Sequence, residues 1–459
     1  MILIKIFFTI LVAANVTAMF LLPTYFNLAV AISSFAILLL FLNSRAIFWA
    51  ILINVYFLSF ITITFLPAIG KKVIWISDFA LAIVCIKILI DFLTRKISLR
   101  NSKEEVLILS LLLVGTFSLM LNGWTTSMFI YGLRNYFKYV PFFLLIKYYP
   151  VAKNTLKSIL IFCFVVAFLN IPIAVFQYLK TGVFDEVGGS FGGGGSGFLT
   201  LFQIIFISYL LIQYNEAPKK KMLNLLYAGL LFIPILINET KVIFFLLPFI
   251  FIFIFWKRLL KSPIVIVLLS VIFISSFMLI SSIYSKAVND FSINDLVNPR
   301  YLYAKLFKES YMREGGLNRL SALDFAIKEL SSNPQKLLFG VGMGNASKSL
   351  NFSGAIGVFQ TKYRGMNINL TFLSGFFWEF GIIGLVILSI LLIRFYNSTI
   401  LILIKNPPFD IKIFTKTFQL TILLVIFSTL YNSSLSFDQL GCLFWVMSGV
   451  VARVRVSLC

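Results

Sequence analysis

Residues 155–178 read TLKSILIFCFVVAFLNIPIAVFQY, a stretch whose single charge, Lys157, stands next to its start. At a rise of about 1.5 Å per residue, a helix of this length reaches across the hydrocarbon of a bilayer. Hydrocarbon offers no partner for an unpaired backbone N–H or C=O, so only helices and closed barrels cross it. A barrel needs ten-residue segments of alternating polarity, and this run does not alternate.

Comparable apolar runs lie on both sides of it. They cover 2–22, 26–42, 46–68, 73–93, 106–122 and 128–147 before it, and 197–215, 223–237, 242–256, 263–283, 369–395, 414–431 and 438–452 after it. Three of these are short, so the expected total is about twelve to fourteen transmembrane helices. Composition agrees: 60% of the 459 residues are apolar, 12% are charged and 52 are Phe, a balance foreign to soluble domains. The predicted fold class is an all-α polytopic integral membrane protein. Residues 1–18 carry a basic residue, an apolar stretch and the ending Val16-Thr17-Ala18 of a signal peptide. An uncleaved first span is expected instead, because the chain goes on crossing.

Charge sets the orientation. With the N-terminus inside, the short cytoplasmic loops hold twenty Lys and Arg, whereas the opposite short loops hold only Lys71, Lys72, Lys180 and Lys241. The positive-inside rule supports that arrangement. The net charge of +22 is thus a topology signal with an added attraction to the lipid bilayer, and no clustered soluble basic face suggests a nucleic-acid partner. Histidine is absent, and Cys85, Cys163, Cys442 and Cys459 are scattered, so neither a metal site nor a bound cofactor is expected.

One segment departs from the short-loop pattern. Residues 284–368 are hydrophilic and, by parity, extracytoplasmic, which divides the chain into a membrane domain of about eleven spans over 1–283, a large loop over 284–368 and C-terminal transmembrane helices over 369–459. Within the loop Leu320, Leu323, Ile327 and Leu330 recur at helical spacing, Asn318 can cap and Asn333-Pro334 stops the run. These predict an amphipathic helix of about 13 residues on the membrane surface. Phe339 to Asn345 then reads as a tight turn. A second outward loop, 182–197, contains GGSFGGGGSG over 188–197. It is either a flexible linker or a backbone that lets a ligand approach closely. It lacks the Lys-Ser/Thr ending of a phosphate-binding loop.

Ionisable groups inside a bilayer are costly and mark function by default. Arg134 and Lys138, four apart, share a helix face; Arg134 lies about six residues, or 9 Å, from the outer end of their run, and Asp78 lies at a like depth. They could pair with Asp78 simply to hold helices together. Against that reading, Arg134, Lys138, Lys241, Arg319 and Arg364 all fall on the outer side, where together they would form a cationic pocket for lipid-borne anions. Arg offers a planar fork to phosphate oxygens, and a helix opened by Arg319 would add its first-turn N–H groups.

Three stretches, Tyr131-Gly132-Leu133-Arg134, Asn238-Glu239-Thr240-Lys241, and residues 317–345 followed by WEFGIIGL over 378–385, resemble the O-antigen polymerase and ligase superfamily in order and spacing. The resemblance implies a bacterial inner-membrane glycosyltransferase that moves a glycan from undecaprenyl diphosphate to an acceptor sugar on the outer face, beside a flippase and a chain-length regulator. Members of the ligase branch carry a His late in the outer loop. Here that neighbourhood reads Met366-Asn367-Ile368-Asn369-Leu370, which favours the branch that polymerises repeat units. On this expectation Arg134, Lys138, Lys241, Arg319 and Arg364 hold the diphosphate and glycan, and Glu239 or Glu379 deprotonates the attacking hydroxyl. The rival is a transporter of lipid-linked sugar. It would want two related halves, and no internal repeat is visible.

Overall fold

The computed structural model describes residues 44–65, 67–95, 103–149, 155–216, 221–238, 240, 242–259, 271, 316–347 and 357–458, and every regular element among them is helical. The runs at 2–22 and 26–42 lie outside the described residues, as do 263–283 apart from residue 271 and 284–315 and 348–356 of the hydrophilic segment. Chain order gives α1 (Ser44–Ile53), a π-helical turn (Asn54–Leu58), α2 (Ser59–Phe65), α3 (Pro67–Leu93), α4 (Lys103–Leu121), α5 (Thr126–Phe137), α6 (Val140–Tyr148) and α7 (Thr155–Thr181). There follow α8 (Ser196–Glu216), α9 (Lys221–Ile237), α10 (Ile243–Leu259), α11 (Arg319–Ser331), α12 (Pro334–Phe339), α13 (Val358–Lys362), α14 (Phe372–Ile404), α15 (Phe409–Tyr431) and α16 (Asp438–Leu458).

Six of these, α4, α7, α8, α14, α15 and α16, are long and apolar enough to cross a bilayer, so the chain is a multi-pass helical membrane protein. α14 packs against α4, α15 and α16, while α8 packs against α9 and α15. Two of the expected spans are broken. The run at 46–68 is interrupted by the π-helical turn. The run at 128–147 splits into α5 and α6 because Pro141, at the start of α6, has no N–H to donate and its ring clashes with the carbonyl four residues back, that of Phe137. Lys138 and Tyr139 occupy the break.

The bundle has two chemically different ends. At one, ion pairs tie successive helices together: Lys147 to Glu105 at 2.8 Å, Arg455 to Glu104 at 2.6 Å, Lys412 to Glu216 at 2.7 Å, and Lys416 to Glu216. Arg453 donates to the Tyr149 carbonyl there. All five cations belong to the set that charge counting assigns to one side. α3 marks the distance between ends: Asp91 accepts from Tyr149 at the basic end, and Asp78 lies thirteen residues, about 20 Å, up the helix.

At the far end the segment 316–347 is docked onto the helices. α11 begins at Asn318, its N-cap, and its buried face is Ala322, Ala326 and Leu330, whereas Ile327 is exposed. That face is rotated from the expected stripe of leucines and isoleucine. Small side chains let α11 approach α14 closely, where Phe325, Phe359 and Tyr363 surround the fully buried Trp378. After α12 the chain turns through Gly340, Gly342 and Gly344. Gly340 and Gly381, both at positive φ, meet backbone to backbone: a Cβ on Gly381 would stand 2.5 Å from the Gly340 nitrogen. Only residues without Cβ fit both positions. Gly381 also kinks α14.

Candidate functional site

The break after α5 assembles a tetrad. Arg134 donates from Nε to Asp78 Oδ2 at 2.7 Å, Lys138 Nζ lies 2.7 Å from Asp78 Oδ1, and the same ammonium donates to Asp438 Oδ1 at 2.9 Å. Four side chains from α3, α5, the α5–α6 break and α16 thus share two positive and two negative charges. Neutrality explains why they can coexist at low exposure, since a lone buried ion costs several kcal/mol. The expected pairing with Asp78 is present, but the pocket is charge-balanced rather than cationic. Exposure is unequal: the Lys138 side chain is 5% exposed and that of Asp78 15%, against 35% for Asp438. Asp438 is the more exposed of the two acids.

Asp78, Arg134 and Lys138 also line one part of an apolar groove of about 500 Å³ between α3, α4, α5 and α6. Leu81, Cys85, Leu109, Leu112, Ile130 and Leu144 form its walls, and Glu105 lines it as well. Leu109 and Ile130 are about half exposed, so among the described residues the groove opens sideways toward lipid.

Around the tetrad several segments converge. α15 ends at Tyr431, and a short turn carries the chain from Asn432 to Asp438. Arg319 reaches that turn from α11: its guanidinium stacks over the Tyr431 ring at 4.2 Å and donates from Nε to the Tyr431 carbonyl at 2.7 Å. Phe437 stacks on Phe198 at 3.9 Å and on Phe191 at 5.9 Å, which brings the glycine-rich loop against the same turn. That loop is not a slack linker throughout. Gln177 and Asn170 of α7 accept from the Gly189 and Ser190 N–H groups at 2.7 and 2.6 Å. Asn238 donates to the Ser196 carbonyl at 3.0 Å and so holds the end of α9 to the start of α8. The tip, Gly193 and Gly194, is exposed with nothing within 4 Å of either Cβ position.

Glu379 lies elsewhere and is fully buried. Its carboxylate accepts from the Gly344 N–H at 2.6 Å, the Ala346 N–H at 3.2 Å and the Ser347 hydroxyl at 2.6 Å. It therefore fills the turn of the docked segment as a bound anion would. Glu239 and Lys241 fall outside the described residues. Arg364 is exposed beyond α13. Near it, burial and the 2.5 Å hydrogen bond to Glu329 push the Tyr363 phenol up from its ordinary range.

Of the expected site residues the structure brings Arg134 and Lys138 into one cluster and places Arg319 one turn of chain away from it. Asp438 carries no local signal in the sequence. An acid on the first residue of an apolar run reads as an interfacial charge, and only its contact with Lys138, 300 residues earlier, shows otherwise. Among the described residues no group of His, Cys, Asp and Glu could hold a metal ion. No protein-family model matches the chain, and no curated protein sequence matches it.

Proposed function

We propose that the protein is a membrane glycosyltransferase that joins oligosaccharide repeat units carried on a polyprenyl diphosphate, as the resemblance in its motifs implies. The observation that supports this reading best is the groove with Asp78, Arg134 and Lys138 on its wall. An apolar slot open to lipid and bearing buried cations suits an amphiphile with a hydrocarbon tail and an anionic head. In this reading the diphosphate competes with Asp78 and Asp438 for Arg134 and Lys138, and these cations stabilise the charge that grows on it as the sugar departs. The glycans lie beyond, beside the turn from Asn432 to Asp438 and the glycine-rich loop. Arg319 positions that turn through Tyr431. A flippase and a chain-length regulator would be its partners, and the bacterial inner membrane its location.

The test is reconstitution. Purified protein in bilayers, given polyprenyl-diphosphate-linked repeat units, is expected to build a ladder of longer glycans. Arg134→Ala at equal protein level should slow lengthening about a hundredfold or more. Cys85 lines the groove and is exposed, whereas Cys163 and Cys442 are buried. Maleimide capture of Cys85, read in a Cys459→Ser background, should therefore slow when the lipid-linked substrate is added. A charge-balanced tetrad within a helical bundle also suits a transporter of the same lipid. Relocation of the repeat units without lengthening would establish that alternative and remove the polymerase.

A further inference from the structure

We infer that Asp438 is the general base of the glycosyl transfer and that the diphosphate arms it by taking Lys138 away. The inference rests on the polymerase reading and gives its catalytic carboxylate an address. Three observations carry it. Asp438 is the more exposed of the tetrad's two carboxylates and lies off the groove that Asp78 lines, so an acceptor hydroxyl can reach it from outside the lipid slot. Its bond is to Lys138, the cation that also lines the substrate groove. It begins α16 directly after the turn that touches both the glycine-rich loop and Arg319, where glycans would lie. Glu379, by contrast, is fully buried, with both carboxylate oxygens engaged by the docked turn.

In the substrate-free state the Lys138 ammonium sits between Asp78 and Asp438. A carboxylate held by an ammonium is a weak base. A diphosphate arriving at Arg134 and Lys138 brings more negative charge than Asp438 carries and draws the ammonium to itself, which leaves the Asp438 carboxylate without its cation. The acceptor hydroxyl then gives its proton to Asp438 while its oxygen forms a bond to the anomeric carbon. The bond from that carbon to the phosphate oxygen breaks, and its electron pair leaves on the polyprenyl diphosphate. The proton on Asp438 is later lost to water. Proton transfer of this kind accelerates a reaction by about 10²–10⁴-fold. The charged and titratable groups around Asp438 are Lys138 and Tyr139 at the α5–α6 break, Arg134 on α5, Asp78 on α3 and Cys442 one turn along α16.

The test is the pH dependence of glycan lengthening by reconstituted full-length protein with saturating lipid-linked repeat units. The wild type is expected to lose rate toward acid as the base protonates. Asp438→Asn should cut kcat about a hundredfold or more, leave KM within a few fold and abolish that acid limb. Asp438→Glu should restore part of kcat together with the limb. If Asp438 merely holds Lys138 in place, Asp438→Asn raises KM and keeps the acid limb, and the inference falls. It falls equally if Asp438→Asn turns over at the wild-type rate. Should Asp438→Asn fail to accumulate in membranes, Asp438→Glu decides alone: partial loss of kcat at an unchanged KM upholds the assignment, and a full wild-type kcat despite the displaced carboxylate overturns it. A wild-type protein that lengthens nothing refutes the polymerase reading itself, an outcome distinct from all of these.

Discussion

Glu379 shows how much a single buried carboxylate can organise. It accepts from two backbone N–H groups and one hydroxyl, all from a segment more than thirty residues earlier. Glu379→Gln keeps the volume but turns an NH₂ toward donors, so at least one of Gly344, Ala346 and Ser347 loses its acceptor. Leaving one such group unsatisfied costs about 1–3 kcal/mol. The expected outcome is a lower melting temperature in detergent, followed by Trp fluorescence because Trp378 is its neighbour in sequence. Melting at the wild-type temperature combined with loss of glycan lengthening would return Glu379 to the role of base. The residue scale also shows what sequence could and could not reveal. Arg134 and Lys138 were legible because a four-residue spacing fixes their common face whatever surrounds them. Their counter-charge from Asp438 was not, since no local rule predicts which of several interfacial acids a distant helix turns inward.

At the scale of elements, apolar length was the readable quantity and backbone breaks were not. The runs at 106–122, 197–215 and 438–452 return as α4, α8 and α16 with boundary shifts of a few residues. Pro141 gave a visible reason for the break between α5 and α6, yet hydropathy runs straight through it. Gly381 gave less, because its positive φ is imposed by the docked turn rather than by its own neighbours. Gly381→Ala is correspondingly expected to be severe. A Cβ there meets the Gly340 nitrogen and the Leu338 oxygen, both at 2.5 Å, and the left-handed backbone adds about 1–2 kcal/mol. The turn 340–347 should lift from α14, and limited proteolysis of the 316–347 segment should speed up. Gly193→Ala, at the open tip of the glycine-rich loop where nothing lies within 4 Å, should digest like the wild type. Equal digestion of both variants would show that the contact between Gly340 and Gly381 does not hold the segment.

For the whole molecule the decisive property is sidedness. One end of the bundle gathers Lys147, Arg455, Lys412 and Lys416 with their acids and Arg453 with the Tyr149 carbonyl, and these are helix-end cations that the positive-inside rule assigns to the cytoplasm. The tetrad and the docked segment belong to the opposite part of the bundle, so they should face away from the cytoplasm. A repeat unit already carried across the membrane could then reach Asp438 without crossing again. Asp324 offers a position to test this, because its side chain is 53% exposed on α11 and, among the described residues, pairs with Lys328 on the same helix. Asn406, between α14 and α15, is exposed at the basic end. With all four native cysteines replaced, Asp324→Cys in intact cells made permeable only at their outer envelope should react with a membrane-impermeant maleimide. Asn406→Cys should react only after the inner membrane is opened. The reverse pattern would place the tetrad's end in the cytosol, where outward-facing lipid-linked repeat units could not meet it. The proposed chemistry would then fail whatever the geometry of Arg134, Lys138 and Asp438.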